Sequence, residues 1–411
     1  MSSEWHLQKI SSLGSFERGK SKHRPRDAAH LYGGDYPFIQ TGDITNCNGR
    51  ITNYRQTYSE AGLKQSRLWP AGTLAITIAA NIAETALLTF PACFPDSVVG
   101  FIPDSDKSDV RFIEYLFQAM RKKVKSQAYG SAQENINLEV LRGLEFPIPP
   151  LALQVSIADF LTLLDDRISL LRETNATLEA IAQAMFKSWF VDFDPVHAKQ
   201  QGRAPEGMDA ATAALFPDSF TETELGIVPS GWRIGKLEDL LVLQRGFDLP
   251  SQDRISGSFP IVAASGLSGS HHEFKVKGPG VITGRSGVLG KVFLELNDFW
   301  PLNTTLWVKE FKVASACFAY EVLRLLDFQS FNAGSAVPTL NRNHIHSLPY
   351  LLPDQNCVAA YDSIALLLHK RCQENNEQIQ TLITLRDSLL PRLISGQLRL
   401  PEAETLIEPT L

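Results

Sequence analysis

The sequence has no apolar run approaching the ~18–20 residues that cross a bilayer. Its opening residues, MSSEWHLQKISSLG, contain no apolar core of a secretory signal. Cysteine is scarce. Cys47, Cys93, Cys317, Cys357 and Cys372 are odd in number, and no two have Cys-x-x-Cys spacing, so neither a zinc site nor a disulfide framework is indicated. These absences point to a cytoplasmic chain with free buried thiols and no membrane association. An excess of positive charge is also missing: 39 Lys and Arg face 45 Asp and Glu, a net charge of −6. Taken whole, that balance argues against nucleic acid. Its distribution does not. Residues 1–150 carry 17 Lys and Arg against 15 Asp and Glu, and residues 227–350 carry 12 against 10, so the acid is concentrated elsewhere. Two mildly basic lobes on an acidic frame are compatible with local DNA binding, although excesses this small equally fit an ordinary surface.

What the chain does contain is an internal repeat. GSAQENINLEVLRGLEFPIPP, from Gly130, matches GSAVPTLNRNHIHSLPYLLPD, from Gly334, without a gap at an offset of 204. Asn137 meets Asn341, Leu144 meets Leu348 and Pro149 meets Pro353. The fronts of the halves match at an offset of 227: Trp5 with Trp232, and Arg18-Gly19 with Arg245-Gly246. A weaker match joins Gly72-Thr-Leu to Gly280-Val-Ile. Each half is thus a globular lobe followed by a helix. The lobes read as mixed α/β, with β-rich runs such as Thr73-Leu-Ala-Ile-Thr-Ile and Val281-Ile-Thr between Gly, Pro and Asn turns, and one amphipathic helix each at Phe112–Lys125 and Ala316–Phe328.

After the first lobe, Ile157, Leu161, Leu164, Ile168, Leu171, Asn175, Leu178, Ala182 and Met185 alternate spacings of four and three, a coiled-coil seam. The repeat carries it to Tyr361, Ala365, Leu368, Cys372, Asn375, Ile379, Leu382, Arg386 and Leu389. Asn175 and Asn375 either fix register or sit at a solvated edge. The expected architecture is α+β: two globular lobes joined by two long antiparallel coiled-coil helices, a pseudo-two-fold dumbbell. A helix of about 35 residues spans roughly 50 Å, so such a rod would fix the distance between two similar heads. The boundaries read as lobe 1–150, helix 151–190, surface linker 191–226, lobe 227–353, helix 354–396 and tail 397–411. Phe186, Trp189, Phe190 and Phe193 crowd the end of the first helix, either as a partner-docking surface or as packing against the second lobe.

The lobe-to-helix steps FPIPPLALQ and YLLPDQ, with the helix ends FKSWFVDFDP and LRDSLLPRLISGQL, resemble the specificity (S) subunits of type I restriction–modification systems. The resemblance covers essentially the whole chain and is diffuse within the lobes. It implies two target recognition domains, each reading half of a bipartite site in double-stranded DNA, and helices that dock two methyltransferase subunits, with motor-endonuclease subunits joining them. The partners would use S-adenosylmethionine, ATP and Mg2+. This chain would hold no cofactor and catalyse nothing.

Rival chemistry is weak in the sequence. Gly14–Ser21 fits the phosphate loop of an NTPase, but a poor strand precedes it, Pro25 falls where its helix should run, and the second copy has Phe247 in place of the Lys. Asp194-Pro195-Val196-His197 falls short of the Asn/Asp-Pro-Pro-aromatic loop of amino-methyltransferases. His271, His272, His344 and His346 lack metal-ligand company and read as surface histidines. A coiled-coil scaffold whose lobes bind proteins is the other class to be separated. The candidate DNA contacts are Arg18, Lys20, Lys22, Arg24 and Arg26 for phosphates, with Arg245 as the second-lobe counterpart of Arg18. Arg285 and Ser286 in a Gly-rich loop are candidates for a guanine edge, where a bidentate Arg contributes about 1–3 kcal/mol. Gln133, Asn135 and Asn137, with Thr339, Asn341 and Arg342, suit either base edges or helix capping.

Overall fold

The run Leu74-Ala-Ile-Thr forms the middle strand of a five-stranded sheet and is buried at every position because both faces of the sheet are covered. Leu74 and Ile76 face a cluster with Phe112 and Leu116, while Ala75 faces Trp69 and Phe94. The computed structural model describes residues 5–23, 25–79, 82–128, 136–331 and 339–407. It divides into two units, Met1–Leu171 with Glu377–Leu411, and Arg172–Asn376. No helix among the described residues is long and apolar enough to cross a membrane.

The first unit contains, in chain order, β1 (His6–Lys9), β2 (Gly14–Arg18), β3 (Tyr32–Phe38), α1 (Thr41–Asn46), β4 (Arg50–Ile51), β5 (Gln56–Tyr58), α2 (Glu60–Lys64), β6 (Leu74–Thr77), β7 (Thr85–Leu88), β8 (Val98–Pro103), α3 (Val110–Ala128), α4 (Leu138–Gly143), β9 (Glu145–Ile148) and the start of α5 (Leu151–Phe190). The sheet order is β2-β8-β6-β7-β4, antiparallel except for β4 with β7. β8 keeps Gly100 because a Cβ there would lie 2.4 Å from the Trp69 ring. α3 lays Phe112, Ile113, Leu116 and Phe117 on the sheet, helical spacing that turns one face inward. Each such side chain contributes about 1.5–3 kcal/mol by leaving water.

The second unit continues with α6 (Asp194–Gln200), α7 (Ala210–Leu215), β10 (Phe220–Thr223), β11 (Gly226–Pro229), β12 (Arg233–Lys236), α8 (Leu237–Leu240), β13 (Leu241–Arg245), β14 (Phe259–Ala263), β15 (Gly266–His271), β16 (Gly280–Gly284), β17 (Val292–Glu295), β18 (Trp300–Pro301), β19 (Thr305–Phe311), α9 (Ala316–Leu325), α10 (Arg342–His346), β20 (Pro349–Leu352) and the start of α11 (Gln355–Ile394). The last helix, α12 (Leu400–Ile407), belongs to the first unit. Residues 191–226, expected as a surface linker, are largely folded: Val196 and Phe216 are buried in the core of the second unit.

The repeat seen in the sequence is a repeat of structure. The sheet β13-β19-β16-β17 has the strand order of β2-β8-β6-β7. β1 pairs with β9 as β12 pairs with β20. Asn137 caps α4 by accepting from Val140 N–H, and Asn341 caps α10 by accepting from Asn343 N–H. Both long helices have 40 residues. Within the first unit, Leu161, Leu164 and Ile168 of α5 share a cluster with Ile379, Leu382 and Leu389 of α11, and Arg386 donates to Asp165 at 2.6 Å. Within the second, the Tyr361 hydroxyl donates to Ala182 C=O at 3.2 Å. Asn175 (8 % exposed) and Asn375 (1 %) meet in a polar layer there, so the solvated-edge alternative is excluded. Asn375 Nδ2 donates to Asn175 Oδ1 at 2.7 Å, and Asn175 Nδ2 donates to Asn376 Oδ1 at 2.9 Å. Residue 175 opposite 372–376 and residue 182 opposite 361 make this pairing antiparallel.

Candidate nucleic-acid interface

In the first unit, β2 ends at Arg18, and Gly19 follows where a Cβ would lie 2.3 Å from Pro95 C=O. The chain therefore leaves the sheet at this point, carrying the basic run. The run is not uniform. Arg18 Nε donates to Asp96 C=O, and Arg26 grips the Asp96 carboxylate with contacts of 2.9 and 2.8 Å. Lys20 and Lys22 stand exposed. Arg24 lies outside the described residues. The NTPase phosphate-loop match is disposed of by the same geometry: Gly14–Arg18 is extended and ladder-paired to β8.

Strand register shows what else lies at that sheet end. Arg18 pairs with Val99, Thr77 with Val98, and Ile76 with Thr85. The β6–β7 hairpin therefore turns there, beside Glu84. α3 follows β8 and packs against β7, and near its C-terminus Arg121 ion-pairs with Glu84 at 3.0 Å. The sequence reading gave this helix end no role. Its signal is the run of cations at positions 121, 122, 123 and 125.

The second unit repeats the construction. Gly246 follows Arg245 where a Cβ would lie 2.2 Å from Leu302 C=O. Arg245 and Thr283 both pair with Leu306, on opposite sides of β19, so Arg245 and the β16–β17 hairpin share one sheet end. The hairpin tip is tied to the segment before α10: Leu340 N–H donates to Arg285 C=O at 2.9 Å, and Ser286 bridges Thr339. The first unit makes the same tie, Ile136 N–H to Ile78 C=O at 3.1 Å. Arg285, Ser286 and Thr339 are thus brought together, with exposed Arg342 three residues beyond Thr339. Arg245 sits 3.5 Å from Asp248. Asn137 and Asn341 are helix caps, which occupies the side-chain oxygen each would use at a base edge. Gln133 and Asn135 lie outside the described residues.

The docking expectation for the aromatics at the end of α5 is corrected. Phe186 (2 % exposed), Trp189 (7 %) and Phe190 (9 %) are core residues of the second unit. Phe190 packs edge-on against Phe318 at 4.8 Å and stacks on Trp232 at 5.9 Å. Phe193, half-buried, takes a left-handed turn (φ 55°) that starts α6. Three large aromatics leave water together, with Phe193 half-buried beside them, so burial against the lobe wins over exposure to a partner.

The histidine reading also needs correction. His271 is buried, with Nδ1 3.1 Å from Ile255 N–H, and half-buried His346 accepts from Leu243 N–H at 2.8 Å. His272 and His344 are exposed. No group of side chains among the described residues is arranged to hold a metal. All five cysteines are free, and burial pushes the thiols of Cys47 and Cys93 up to about 11 and that of Cys357 up to about 12. Such thiols are not activated nucleophiles. Among the described residues, Glu114 is a strongly displaced carboxyl. Burial, then the charge of Asp165, pushes it up to about 8, against the opposing pull of Arg50 and Gln118. It lies under Gly49, where a Cβ would come within 2.5 Å of its Oε1, and Gln118 Nε2 donates to that oxygen at 3.1 Å.

Residues 2–180 match the family described as the type I restriction modification DNA specificity domain. The chain is 24 % identical over 433 residues to the type I restriction enzyme MjaIX specificity subunit of Methanocaldococcus jannaschii, covering 97 % of this chain and 94 % of that protein. It is 25 % identical over 328 residues to the HindI specificity subunit of Haemophilus influenzae, covering 64 % and 71 %. Among solved structures, the S subunit of a type I restriction–modification system from M. genitalium aligns with a TM-score of 0.64 at 17 % identity, over 95 % of this chain and 96 % of that one. At that identity the likeness is one of fold.

Proposed function

We propose that this chain is a specificity subunit of a type I restriction–modification system and that it reads DNA in the following way. Each unit offers one sheet end to the duplex, and each reads one half of a bipartite site. The observation that carries this is the duplicated construction. In both units a strand ends in Arg-Gly, and the neighbouring hairpin tip is tied by one backbone hydrogen bond to the segment before a capped helix. Lys20 and Lys22 contact phosphates and set orientation, while Arg285, Ser286, Thr339 and Arg342 face base edges.

The chain itself performs no chemistry and holds no cofactor in this reading. Methyl transfer and DNA translocation belong to partners: two methyltransferase subunits using S-adenosylmethionine, and motor-endonuclease subunits using ATP and Mg2+, all in the cytoplasm. Exposed aliphatic side chains on the long helices support docking in duplicate: Leu163 on α5 and Leu367 on α11 occupy the same position of the 204-residue repeat. Titrating the chain with its methyltransferase partner is expected to saturate at two copies. Saturation at one would remove the duplicated docking.

DNA binding by the assembled complex is expected to weaken steeply with salt, because phosphate contacts release counterions. Salt-independent or absent binding would favour the protein-binding scaffold instead.

A further inference from the structure

The C-terminal turns of α3 carry Arg121, Lys122, Lys123 and Lys125, and one carboxylate serves two of them. Arg121 Nη2 lies 3.0 Å from Glu84 Oε2, and Lys125 Nζ lies 3.5 Å from Glu84 Oε1. Glu84 is firmly placed at the turn of the β6–β7 hairpin. Its N–H donates to Thr77 Oγ1 at 3.0 Å, its C=O accepts from Thr77 N–H at 2.9 Å, and Thr77 is fully buried. Lys122 is exposed. Cations near a helix C-terminus offset the macrodipole, which accounts for a basic residue or two. It does not account for a single carboxylate held between two of four cations at the sheet end where Lys20 and Lys22 also emerge.

Distance fits a shared ligand. Arg18 on β2 and Glu84 beside β7 are three strand spacings apart, about 14 Å at ~4.8 Å each. Duplex DNA carries one negative charge per ~1.7 Å of axis, so that span faces about eight phosphates. Four cations, Lys123 being the fourth, and one carboxylate leave a net charge of +3 at the end of α3, next to two further lysines.

We propose that the end of α3 is a second phosphate-binding element of the first lobe, and that Glu84 limits its strength by neutralising part of it. This rests on the DNA-recognition reading above. Glu84 would keep affinity for arbitrary DNA low while leaving the preferred sequence untouched, since phosphate contacts position a protein without specifying bases.

The test uses this chain co-expressed with its proposed methyltransferase partner. Affinity for a duplex bearing its methylated motif, and for a scrambled duplex, is measured from about 50 to 200 mM salt. Each phosphate contact contributes about 0.9 to the slope of log affinity against log salt. Lys122→Glu, at an exposed position that packing does not constrain, is expected to weaken both duplexes by the same factor. It should flatten the slope by about one contact, so that affinity falls about threefold less across that salt range. Glu84→Gln is expected to do the reverse: tighter binding to both duplexes and a steeper slope. The methylated motif should be unchanged in both variants. Unchanged affinity and slope in Lys122→Glu, with wild-type complex binding its motif normally, overturn the proposal alone. A melting curve accompanies Glu84→Gln, and if that variant unfolds early, Lys122→Glu decides. A wild-type complex that binds neither duplex removes the DNA-recognition reading and the proposal together.

Discussion

Glu114→Gln removes one proton-binding group from the core of the first unit and leaves its shape and its contact with Gln118 in place. The carboxyl is raised to about 8 from its ordinary 4.5, chiefly by burial and then by Asp165. Asp165 itself accepts hydrogen bonds from Arg386 and from the Tyr115 hydroxyl, each at 2.6 Å. The folded state therefore keeps a proton that the unfolded chain gives up above about pH 4.5. The stabilisation from that proton is fully present below pH 4.5 and is lost progressively as pH rises toward 8. One pH unit in this window corresponds to 1.36 kcal/mol. Between pH 5 and pH 7 the wild type should lose about 2 kcal/mol relative to Glu114→Gln. For a unit of this size that is a shift of roughly 4–8 °C in melting temperature. Other titrating groups are common to both proteins and cancel in the difference. Thermal melting of both proteins at half-unit steps from pH 5 to 8 reads it directly. If the two melting curves move in parallel with pH, Glu114 is not held protonated in the fold.

Three further outcomes are expected. Arg285→Ala should relax one base position in the half-site read by the second unit and leave the other half-site intact, seen by sequencing methylated DNA; unchanged discrimination at every position would remove Arg285 as a base reader. Lys20→Ala with Lys22→Ala should weaken binding to all duplexes and flatten the salt slope by about two contacts without altering the motif, whereas an altered motif at unchanged affinity would make the loop a base reader. Asn375→Leu alone should destabilise the second unit by about 1–3 kcal/mol, because it leaves the buried Asn175 Oδ1 without its donor. Adding Asn175→Leu should recover much of that loss on denaturant unfolding, and an additive loss would show that the pair is not the unit that matters.

Periodicity and self-similarity were the legible parts of this sequence. The heptad pattern placed Ile157, Leu161 and Ile168 on a buried seam, and the 204-residue offset paired Asn137 with Asn341, residues left open between base edge and helix cap that the structure resolves as caps. Both signals are local and repeat, so they survive without three-dimensional knowledge. The aromatics at 186–193 stayed open between docking and packing because a sequence shows how many apolar groups exist but not which surface covers them. Trp232 and Phe318, which bury Phe190, lie 42 and 128 residues further along the chain. The basic run failed in a similar way. Arg18 and Arg26 looked equivalent to Lys20 and Lys22, yet Asp96, distant in sequence, takes both arginines. His271 and His346 were read as surface groups because their partners are backbone N–H groups of Ile255 and Leu243, which no residue pattern displays.

The most direct test of the central claim is methylome sequencing of cells with this chain, without it, and with its residues 227–353 replaced by those of a relative of different specificity. With the chain present, a motif of two short specified blocks separated by an unspecified spacer should be methylated, and that methylation should vanish without the chain. The exchanged chain should change one block and keep the other. A methylome indifferent to the chain, or an exchange that alters both blocks at once, would contradict two independently reading units.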